Sequence, residues 1–364
     1  LGEGKELVYN LKQPLLSQLL HTVTRPGRYL NNEINFPQKN DAPLRFLVCF
    51  PDLYEIGMSH LGIRVLYHVI NRHPDLLADL AFAPWVDMED FMRHNRLPVV
   101  GLGTGIPMRE FDVVGFSLQH ELQYTNVLTM LDLSGIPLEA KQRGDRDPIV
   151  VGGGPCAFNP EPLTDFFDAF LIGDGESGAV EIGLCILQAK RNGLSRARCL
   201  ERLAEIQGTY VPSVHSPSSK ITRRLEIELK EEDFPMPPIV PIVPITHDRL
   251  SIEIMRGCTR GCRFCSAGMV ARPVRERSPD SIIRLAEKGI DESGWDEVSL
   301  ISLSTSDYSC LDDLVEDLAK RLERRHVSIS LPSMRPGTFT DRIAEIVSRY
   351  KRTCLLYTSP SPRD

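Results

Sequence analysis

The segment that decides the fold is Ile252-Glu253-Ile254-Met255-Arg256-Gly257-Cys258-Thr259-Arg260-Gly261-Cys262-Arg263-Phe264-Cys265. A short apolar strand leads into a loop with three cysteines, separated by three residues and then by two. Soft thiolate ligands placed so close together suit an iron-sulfur cluster. Three thiolates on a 4Fe-4S cluster leave one iron without a protein ligand, and a catalytic metal site keeps such an open position. The segment therefore predicts a catalytic metal centre held by Cys258, Cys262 and Cys265.

The cysteine spacing, with Phe264 just before the third cysteine, resembles that of the radical S-adenosylmethionine (SAM) enzymes. The resemblance implies a 4Fe-4S cluster whose open iron is chelated by SAM, and reductive cleavage of SAM to a 5'-deoxyadenosyl radical. The run from His247 to Ser278 is more particularly similar to a bacterial group of uncharacterised radical enzymes with an N-terminal cobalamin-binding-like domain. The resemblance covers about residues 25 to 350.

Composition bounds the class of protein. Of the 364 residues, 42% are hydrophobic and 25% charged, as in a globular protein with two domains. No apolar run approaches the ~18 residues of a membrane span, and no secretory signal is recognisable. Nine cysteines, three of them bunched, favour metal chemistry in a reducing compartment over disulfides. A net charge of −7 disfavours a general nucleic-acid surface. These observations predict a cytoplasmic protein.

The first half alternates apolar runs with helical patterns. Four runs are predicted as strands, at residues 46–50, 113–116, 149–151 and 169–172. Helices are predicted after the first two runs and twice between residues 178 and 206. Strands alternating with helices form a parallel sheet covered on both faces. Residues 43–207 are therefore expected to be a doubly wound, Rossmann or flavodoxin-like α/β domain.

Ligands of such sheets bind beyond the carboxyl ends of the strands. The loops at these ends are residues 51–61, 117–123, 152–159 and 173–177. Their glycines fit a steric need of the turns as well as ligand binding. The resemblance implies that the ligand is cobalamin.

His60 is the nearest match to the cobalt-ligating histidine of cobalamin domains. The segment Met58-Ser59-His60-Leu61-Gly62 lacks the aspartate expected two residues before the histidine, and its glycine comes one residue too early. An imidazole without an orienting carboxylate is a poorer metal ligand. We therefore expect His60 to be a cap or a packed residue. Cobalamin binding without a protein ligand and loss of the cofactor are both alternatives.

The remaining domain boundaries follow from composition. Residues 1–42 are expected to form an N-terminal arm, with a helix near Leu15–Leu20 or as an irregular lead-in. Residues 208–247 are rich in proline and predict a linker with room for one hairpin. Residues 354–364 resemble sequencing-adapter read-through and are interpreted as a non-native tail, so the natural protein is expected to continue past residue 353.

Residues 248–353 contain three strand-helix units. The strands are predicted at residues 252–255, 297–301 and 327–331. The first helix has a strong start, with Ser278 as its cap and Pro279 in its first turn. By the resemblance, three units are the N-terminal half of the partial (β/α) barrel usual in the superfamily. Active residues of such barrels lie at the carboxyl ends of the strands, where the cysteine loop is found.

The resemblance also implies roles around the cluster. Phe264 would pack near the adenine of SAM. A hydroxyl-rich loop stands where the superfamily usually has a Gly-Gly-Glu motif at the methionyl amine, and its candidates are Ser302, Ser304 and Thr305. The methionyl carboxylate or an anionic substrate would pair with arginines after the cysteines, unless these only form a solvated surface: Arg272, Arg275 and Arg277. Ser333 and Arg335 are further candidates, and the catalytic residue that acts on substrate is unknown.

Two other classes of function stay open. A structural zinc site needs four ligands, and the nearest candidates for the fourth are His247 and Cys310. A non-catalytic ligand-sensing protein is the other. For the enzyme, the expected partners are an unidentified substrate and an electron donor such as flavodoxin or ferredoxin, with no membrane and no general nucleic-acid binding. The cysteines outside the loop that we interpret as non-ligands are Cys49, Cys156, Cys185 and Cys199.

Overall fold

The computed structural model describes residues 13–36, 39, 41–335, 337–338 and 340–348. The first part of the predicted arm and the predicted tail, residues 354–364, lie outside the described residues. The chain divides into two compact units. The first comprises residues up to Glu226 together with Glu232–His247, and the second comprises Ile227–Glu231 and the residues from Asp248 onward.

The first unit is built on a six-stranded sheet with the order β2-β1-β3-β4-β5-β6. The strands β1 to β5 are parallel, and β6 runs antiparallel to β5. The strands are β1 (Leu44–Phe50), β2 (Leu76–Phe82), β3 (Val113–Ser117), β4 (Ile149–Gly153), β5 (Ala169–Leu171) and β6 (Thr209–Tyr210). The order of the first five is that of a flavodoxin-like sheet, so the doubly wound fold predicted from the alternation is confirmed.

Helices cover both faces of this sheet. They are α1 (Gln13–Thr22), α2 (Tyr54–Gly57), α3 (Leu61–Arg72), α4 (Val86–Asn95), α5 (Tyr124–Leu133), α6 (Glu176–Arg191) and α7 (Arg196–Leu203). Alternate residues of β1 point to opposite faces, so Phe46 and Val48 pack with α3, α6 and α7. Leu47 and Cys49 pack with α1, α4 and α5 on the other face.

The alternation of apolar runs misses strand β2, because Asp79 interrupts the run. The Asp79 side chain is buried, yet it is satisfied by donors from outside the strand. The backbone N–H groups of Gly103 and Thr104 and the Thr104 hydroxyl all donate to it, at 2.7–2.8 Å. A buried carboxylate is tolerated when its lone pairs are met in this way. Asp79 thus holds the loop that follows α4 against the edge strand β2.

The proline-rich residues 208–247 are shared between the units. Strand β6 lies within this segment and extends the first sheet, and Val240 forms a β-bridge with Ile34. Between the prolines, Ile239 and Ile245 are buried in the core of the first unit. The apolar residues spaced between the prolines explain why this segment packs closely, and within it the structure shows no hairpin.

The second unit contains a parallel three-stranded sheet, ordered β11-β10-β7, and a short antiparallel ribbon of β8 and β9. The strands are β7 (Leu250–Glu253), β8 (Met255–Arg256), β9 (Arg275–Glu276), β10 (Glu297–Ile301) and β11 (Ser328–Ser330). The helices are α8 (Ala267–Val270), α9 (Pro279–Ser293), α10 (Leu311–Leu322) and α11 (Asp341–Ser348). Ser278 caps α9 by accepting a hydrogen bond from the Ser281 N–H, which confirms the predicted start. In the described part of the chain, no helix is long and apolar enough to span a bilayer.

Candidate metal centre

The three cysteines lie on a loop that is closed at its base by the β8–β9 ribbon. Met255 pairs with Glu276, and Arg256 pairs with Arg275. The loop between them, residues 257–274, follows the carboxyl end of β7. Because β7, β10 and β11 are parallel, the loops after all three strands lie at one edge of the sheet. The cysteine loop therefore stands where barrel enzymes carry their active residues.

Gly257 sets the path of the chain into this loop. Its φ is +93°, a conformation that side chains with a Cβ rarely adopt. A Cβ at this position would also collide with the carbonyl oxygens of Ala271 and Pro273. The glycine before the first cysteine is thus required by the close approach of the two ends of the loop.

The thiols are accessible. Cys258 is half-buried, whereas Cys262 and Cys265 are exposed, and Phe264 between them is 93% exposed. Among the described residues, no three Cys, His, Asp or Glu side chains converge as they do around a bound metal ion. The donor set itself fits a 4Fe-4S cluster, because three soft thiolates share one open loop. Cys310, the candidate for a fourth zinc ligand, lies instead before α10, beside the Ser309 hydroxyl.

Asp307 ties the cysteine loop to its neighbours. Its carboxylate accepts hydrogen bonds from Arg260 Nε (2.7 Å) and Nη2 (2.5 Å), and Arg260 lies between the first two cysteines. It also accepts from Arg335 Nη2 and from Ser304 Oγ, both at 2.8 Å. The hydrogen bond from Arg260 holds the pKa of Asp307 well below its ordinary value. One side chain thereby joins the loops after β7, β10 and β11.

Asp307 is not predicted as a site residue from the sequence, whereas Arg335 is. The available signal was an acidic residue within a hydroxyl-rich loop at a strand end, opposite several arginines. Charge pairing across loops of distant sequence position is not visible in a pattern along one chain.

The hydroxyl-rich loop after β10 is bonded largely to itself. Ser302 Oγ lies 3.1 Å from Thr305 Oγ1 and accepts a hydrogen bond from the Ser304 N–H at 3.1 Å. Ser304 and Thr305 are buried, and Ser302 is half-buried. The structure therefore brings the three predicted hydroxyls together beside Asp307. Their contact with the methionyl amine stays a prediction.

The predicted arginines differ in their surroundings. Arg272 is exposed on the cysteine loop, whereas Arg275 is buried in the ribbon and donates to the Pro273 carbonyl at 3.3 Å. Arg277 is also buried and donates to the carbonyls of Glu253 and Leu229, at 3.1 and 2.9 Å. Arg277 thus supports the backbone, and Arg272 is the most accessible of the three. The pairing of Arg272 and Arg275 with a carboxylate stays a prediction.

His60 lies in the first unit, at the carboxyl end of β1. Its ring packs against Phe50, with centroids 5.3 Å apart, and over Gly62, where a Cβ would lie 2.8 Å from the ring. Burial, together with the charge of Arg64, lowers the pKa of His60 to about 4. The ring is therefore a packed, neutral imidazole, as expected from its incomplete motif.

Four cysteines outside the cluster loop are buried or half-buried, namely Cys49, Cys156, Cys185 and Cys199. Burial raises the pKa of the Cys49 and Cys156 thiols, and it raises the pKa of Cys199 to about 11. A thiol that resists deprotonation is a poor metal ligand. All cysteines of the described residues are free.

Two family models match the chain. Residues 62–212 match the description "Radical SAM proteins, N-terminal", and residues 252–358 match "Radical SAM superfamily". The second match contains all three cysteines of the loop. The chain belongs to the radical SAM superfamily. The 4Fe-4S cluster and SAM are the cofactors of this superfamily, and the matches give no support to the zinc or ligand-sensing alternatives.

Curated proteins of other organisms are similar to parts of the chain. This radical SAM chain is 26% identical to an uncharacterised protein of Methanocaldococcus jannaschii, over 82% of the chain and 57% of that protein. It is 29% identical to a tRNA-2-methylthio-N(6)-dimethylallyladenosine synthase of a Hydrogenobaculum species, over 35% of the chain and 31% of that enzyme. The chain thus spans little more than half the length of the first of these relatives.

Solved structures share the fold. The methyltransferase TsrM from Kitasatospora setae, solved with cobalamin and a 4Fe-4S cluster, aligns with a TM-score of 0.52 and 14% identity, over 85% of this chain and 57% of its own. The cobalamin-dependent radical enzyme OxsB aligns with a TM-score of 0.51 and 16% identity, over 80% and 38%. These structures confirm the predicted combination of a cobalamin-binding-like α/β domain with a radical SAM domain as a fold.

Proposed function

We propose that this chain is the cofactor-binding part of a radical SAM enzyme that cleaves SAM reductively and acts on a substrate of unknown identity. The observation that supports this proposal is the loop with Cys258, Cys262 and Cys265, which the β8–β9 ribbon closes at the carboxyl edge of the second sheet. A cluster on these thiolates would supply the electron for the cleavage. The protein's own part is to hold the loop, through Gly257 and Asp307, and to bind SAM.

The SAM contacts are proposed for residues around the loop. Phe264 and Arg272 are exposed on it, so both are free to approach a bound cofactor. An aromatic ring suits the adenine, and a guanidinium suits the methionyl carboxylate. Ser302 is the most accessible of the three candidate hydroxyls and is the proposed partner of the methionyl amine. Arg275 is buried, which makes it a support for the loop in this proposal.

Cobalamin-assisted methyl transfer is the more specific version of this proposal. It is supported by the flavodoxin-like strand order of the first unit and by the fold shared with TsrM and OxsB. Because the His60 ring is packed on Phe50 and Gly62, a corrinoid would bind here without His60 as its lower ligand. Transfer of a methyl or methylthio group is consistent with the similarity to the methyltransferase TsrM and to the tRNA-2-methylthio-N(6)-dimethylallyladenosine synthase.

The proposed partners are the substrate and a one-electron donor of the flavodoxin or ferredoxin kind. The exposed thiols of the cluster loop would need a reducing compartment, so the cytoplasm is the proposed location. A cluster site at the protein surface, as seen for the cysteine loop, gives an electron donor direct access.

The test is anaerobic reconstitution of the full chain with iron and sulfide, followed by reduction with SAM and an assay for 5'-deoxyadenosine. We expect deoxyadenosine from the parent protein and none from Cys262→Ala. Cys310→Ala is the matched control, because this exposed cysteine lies on the same unit but off the loop. It should retain both the cluster absorbance and the product.

Other outcomes would decide against the proposal. Tight zinc without iron, lost on Cys310→Ala, would indicate a structural four-ligand site. A cluster that forms without any SAM cleavage would contradict the proposed enzymatic function.

The cobalamin version of the proposal has its own test. If it is correct, we expect the protein to bind aquocobalamin, and we expect His60→Ala to bind it equally well.

A further inference from the structure

In the described part of the first unit, one buried cation has no counter-ion. Arg64 lies in the first turns of α3 and is 3% exposed. Among the described residues, no hydrogen-bond acceptor meets its Nε and Nη2 atoms. Burial alone lowers the pKa of Arg64, to about 10, so the guanidinium keeps its charge at neutral pH. A buried charge that is neither paired nor hydrogen-bonded is costly, and proteins seldom keep one without a purpose.

Two further buried nitrogen atoms also lack partners, and their side chains are linked to Arg64 through Gln119 and His60. Gln123 is 1% exposed, and its Nε2 has no acceptor, although its Oε1 accepts from the Gln119 N–H at 2.8 Å. Gln119 in turn forms a side-chain hydrogen bond with His60, whose Nδ1 is buried and unpartnered. His60 lies one helical turn before Arg64. Arg64 and Gln123 thus offer unused N–H groups, and the described residues supply no acceptor for them.

This group of four side chains lies where the topology predicts a ligand. His60 and Arg64 follow β1, and Gln119 and Gln123 follow β3, the two neighbouring strands at which the sheet order 2-1-3-4-5 reverses. Ligands of such sheets bind at this switch point. Helix α3, twelve residues long, begins here with no side-chain cap, so its N-terminus adds a positive dipole end.

We propose that the switch point of the first sheet binds a phosphate group, with Arg64 as its counter-ion and Gln123 as a hydrogen-bond donor. The oxygens of a phosphate group accept several hydrogen bonds at once, and a guanidinium group can donate two parallel hydrogen bonds to them. The backbone directly after β4 passes very close to the loop after β3. Gly154 has a φ of +92°, and a Cβ there would lie 2.7 Å from the Leu118 carbonyl oxygen.

This site is separate from the cluster chemistry proposed above, and its test does not depend on that chemistry. The phosphate has two possible sources with the same chemistry, namely the phosphodiester of a cobalamin nucleotide loop or a phosphorylated small molecule. Both would place an anion against Arg64.

The experiment measures binding of radiolabelled inorganic phosphate to the full chain by equilibrium dialysis, with thermal unfolding as a second readout. We expect saturable binding, and a loss of affinity of at least about tenfold in Arg64→Met. Arg72→Met is the matched control, because Arg72 is on the same helix but is exposed and pairs with Asp233 at 3.0 Å. It should bind phosphate like the parent protein.

A second variant separates binding from folding. Gln123→Glu keeps the acceptor for the Gln119 N–H but adds a negative charge to this group of side chains, so it should also abolish phosphate binding. In phosphate-free buffer, Arg64→Met should be at least as stable as the parent protein, since it removes an unpaired buried charge. An Arg64→Met protein that is less stable in that buffer would show a structural role and overturn the proposal. Absence of saturable binding to the parent protein, or equal binding in all variants, would also overturn it.

The two sources are distinguished by aquocobalamin and cobinamide, which lacks the phosphodiester. Binding of aquocobalamin that depends on Arg64, with weaker binding of cobinamide, would assign the site to the nucleotide loop. Equal binding of both corrinoids, together with competition between inorganic phosphate and a nucleoside monophosphate, would assign it to a phosphorylated small molecule. Either result supports a phosphate site.

Discussion

At the scale of single residues, Asp307 holds the cysteine loop through a hydrogen bond from Arg260, although it is not one of the predicted cluster ligands. It holds Arg260, between the first two cysteines, against Arg335 from the loop after β11. The Arg260 end of this pair is nearly half exposed, so its contribution to global stability is small. Its expected effect is on the position of the cysteine loop, because Asp307 joins this loop to those after β10 and β11.

We predict that Asp307→Asn loses less than about 1 kcal/mol of unfolding free energy but loses its cluster faster. The amide keeps the shape of the side chain and loses the charge that draws both guanidinium groups. The half-life of the visible cluster absorbance in air measures the effect. Asp291→Asn is the control, since Asp291 pairs with Arg325 on the helical surface, away from the loop. Equal half-lives in the two variants would contradict the prediction.

Gly257 gives a second prediction at this scale. Gly257→Ala combines a positive φ with a collision against Ala271 and Pro273, so we expect little or no bound iron after reconstitution. Gly294→Ala is the control. Its φ is +74°, but a Cβ there meets nothing within 4 Å, so it should cost about 1 kcal/mol and keep the cluster. Iron content per chain separates the two cases, and a Gly257→Ala protein with full iron would refute the steric explanation.

His60 predicts a pH dependence. Its pKa is about 4 in the folded protein, against an ordinary value of 6.5. As the pH falls from 6.5 toward 4, the unfolded chain binds a proton that the folded protein does not, so the free energy of unfolding decreases in that range. Above pH 6.5 the residue adds no pH dependence. The loss is about 3 kcal/mol, measured by urea unfolding in phosphate-free buffer. His60→Gln should flatten the curve in this window, and an unchanged slope would rule out His60 as its source.

At the scale of elements, most helices and strands are visible in the sequence because their apolar periodicity is clean. Strand β10 and helix α10 appear as predicted, and Ser278 caps α9. Strand β2 is the exception, since a buried Asp79 breaks its pattern. The hydrogen bonds that Asp79 accepts from Gly103 and Thr104 come from a distant loop, so they are not visible in the sequence. Asp307 and Arg64 could not be recognised from the sequence for the same reason. The hydrogen bonds of Asp307 and the unpartnered atoms of Arg64 both result from how distant elements pack.

The junction of β4, β5 and α7 is held by a buried ion pair network. Asp168 Oδ2 accepts from Arg143 Nη1 at 3.0 Å, from Arg196 Nη2 at 2.7 Å and from the Val150 N–H at 2.8 Å. The Asp168 and Arg143 side chains are at most 2% exposed. Removing the carboxylate leaves two guanidinium groups without their shared partner.

We therefore predict that Asp168→Ala lowers the unfolding free energy by about 3–5 kcal/mol. Asp132→Ala, which breaks an exposed ion pair with Arg93, should cost less than about 1 kcal/mol. Chemical denaturation of both variants measures the difference. Similar losses would mean that the buried network contributes no more than a surface pair.

At the scale of the whole molecule, the chain is two units with separate cores, and part of the proline-rich segment completes the first of them. We predict that residues 1–247 fold without the rest of the chain. Near-ultraviolet circular dichroism and a single cooperative urea transition would show it. A matched fragment that ends at residue 207 should unfold more readily, because it lacks β6 and the buried Ile239. Equal stability of the two fragments would contradict the assignment of the segment to this core.

The β8–β9 ribbon has a consequence for how this protein can change over evolutionary time. Since the two ends of the cysteine loop are paired across the ribbon, the backbone enters and leaves the loop at neighbouring points. Lengthening a loop whose ends are already joined costs little entropy, about 0.6 kcal/mol for each doubling. Insertions between Cys265 and Arg272 would therefore leave the sheet undisturbed. The cofactor-facing surface of this scaffold can diversify while its cysteines and its core stay in place.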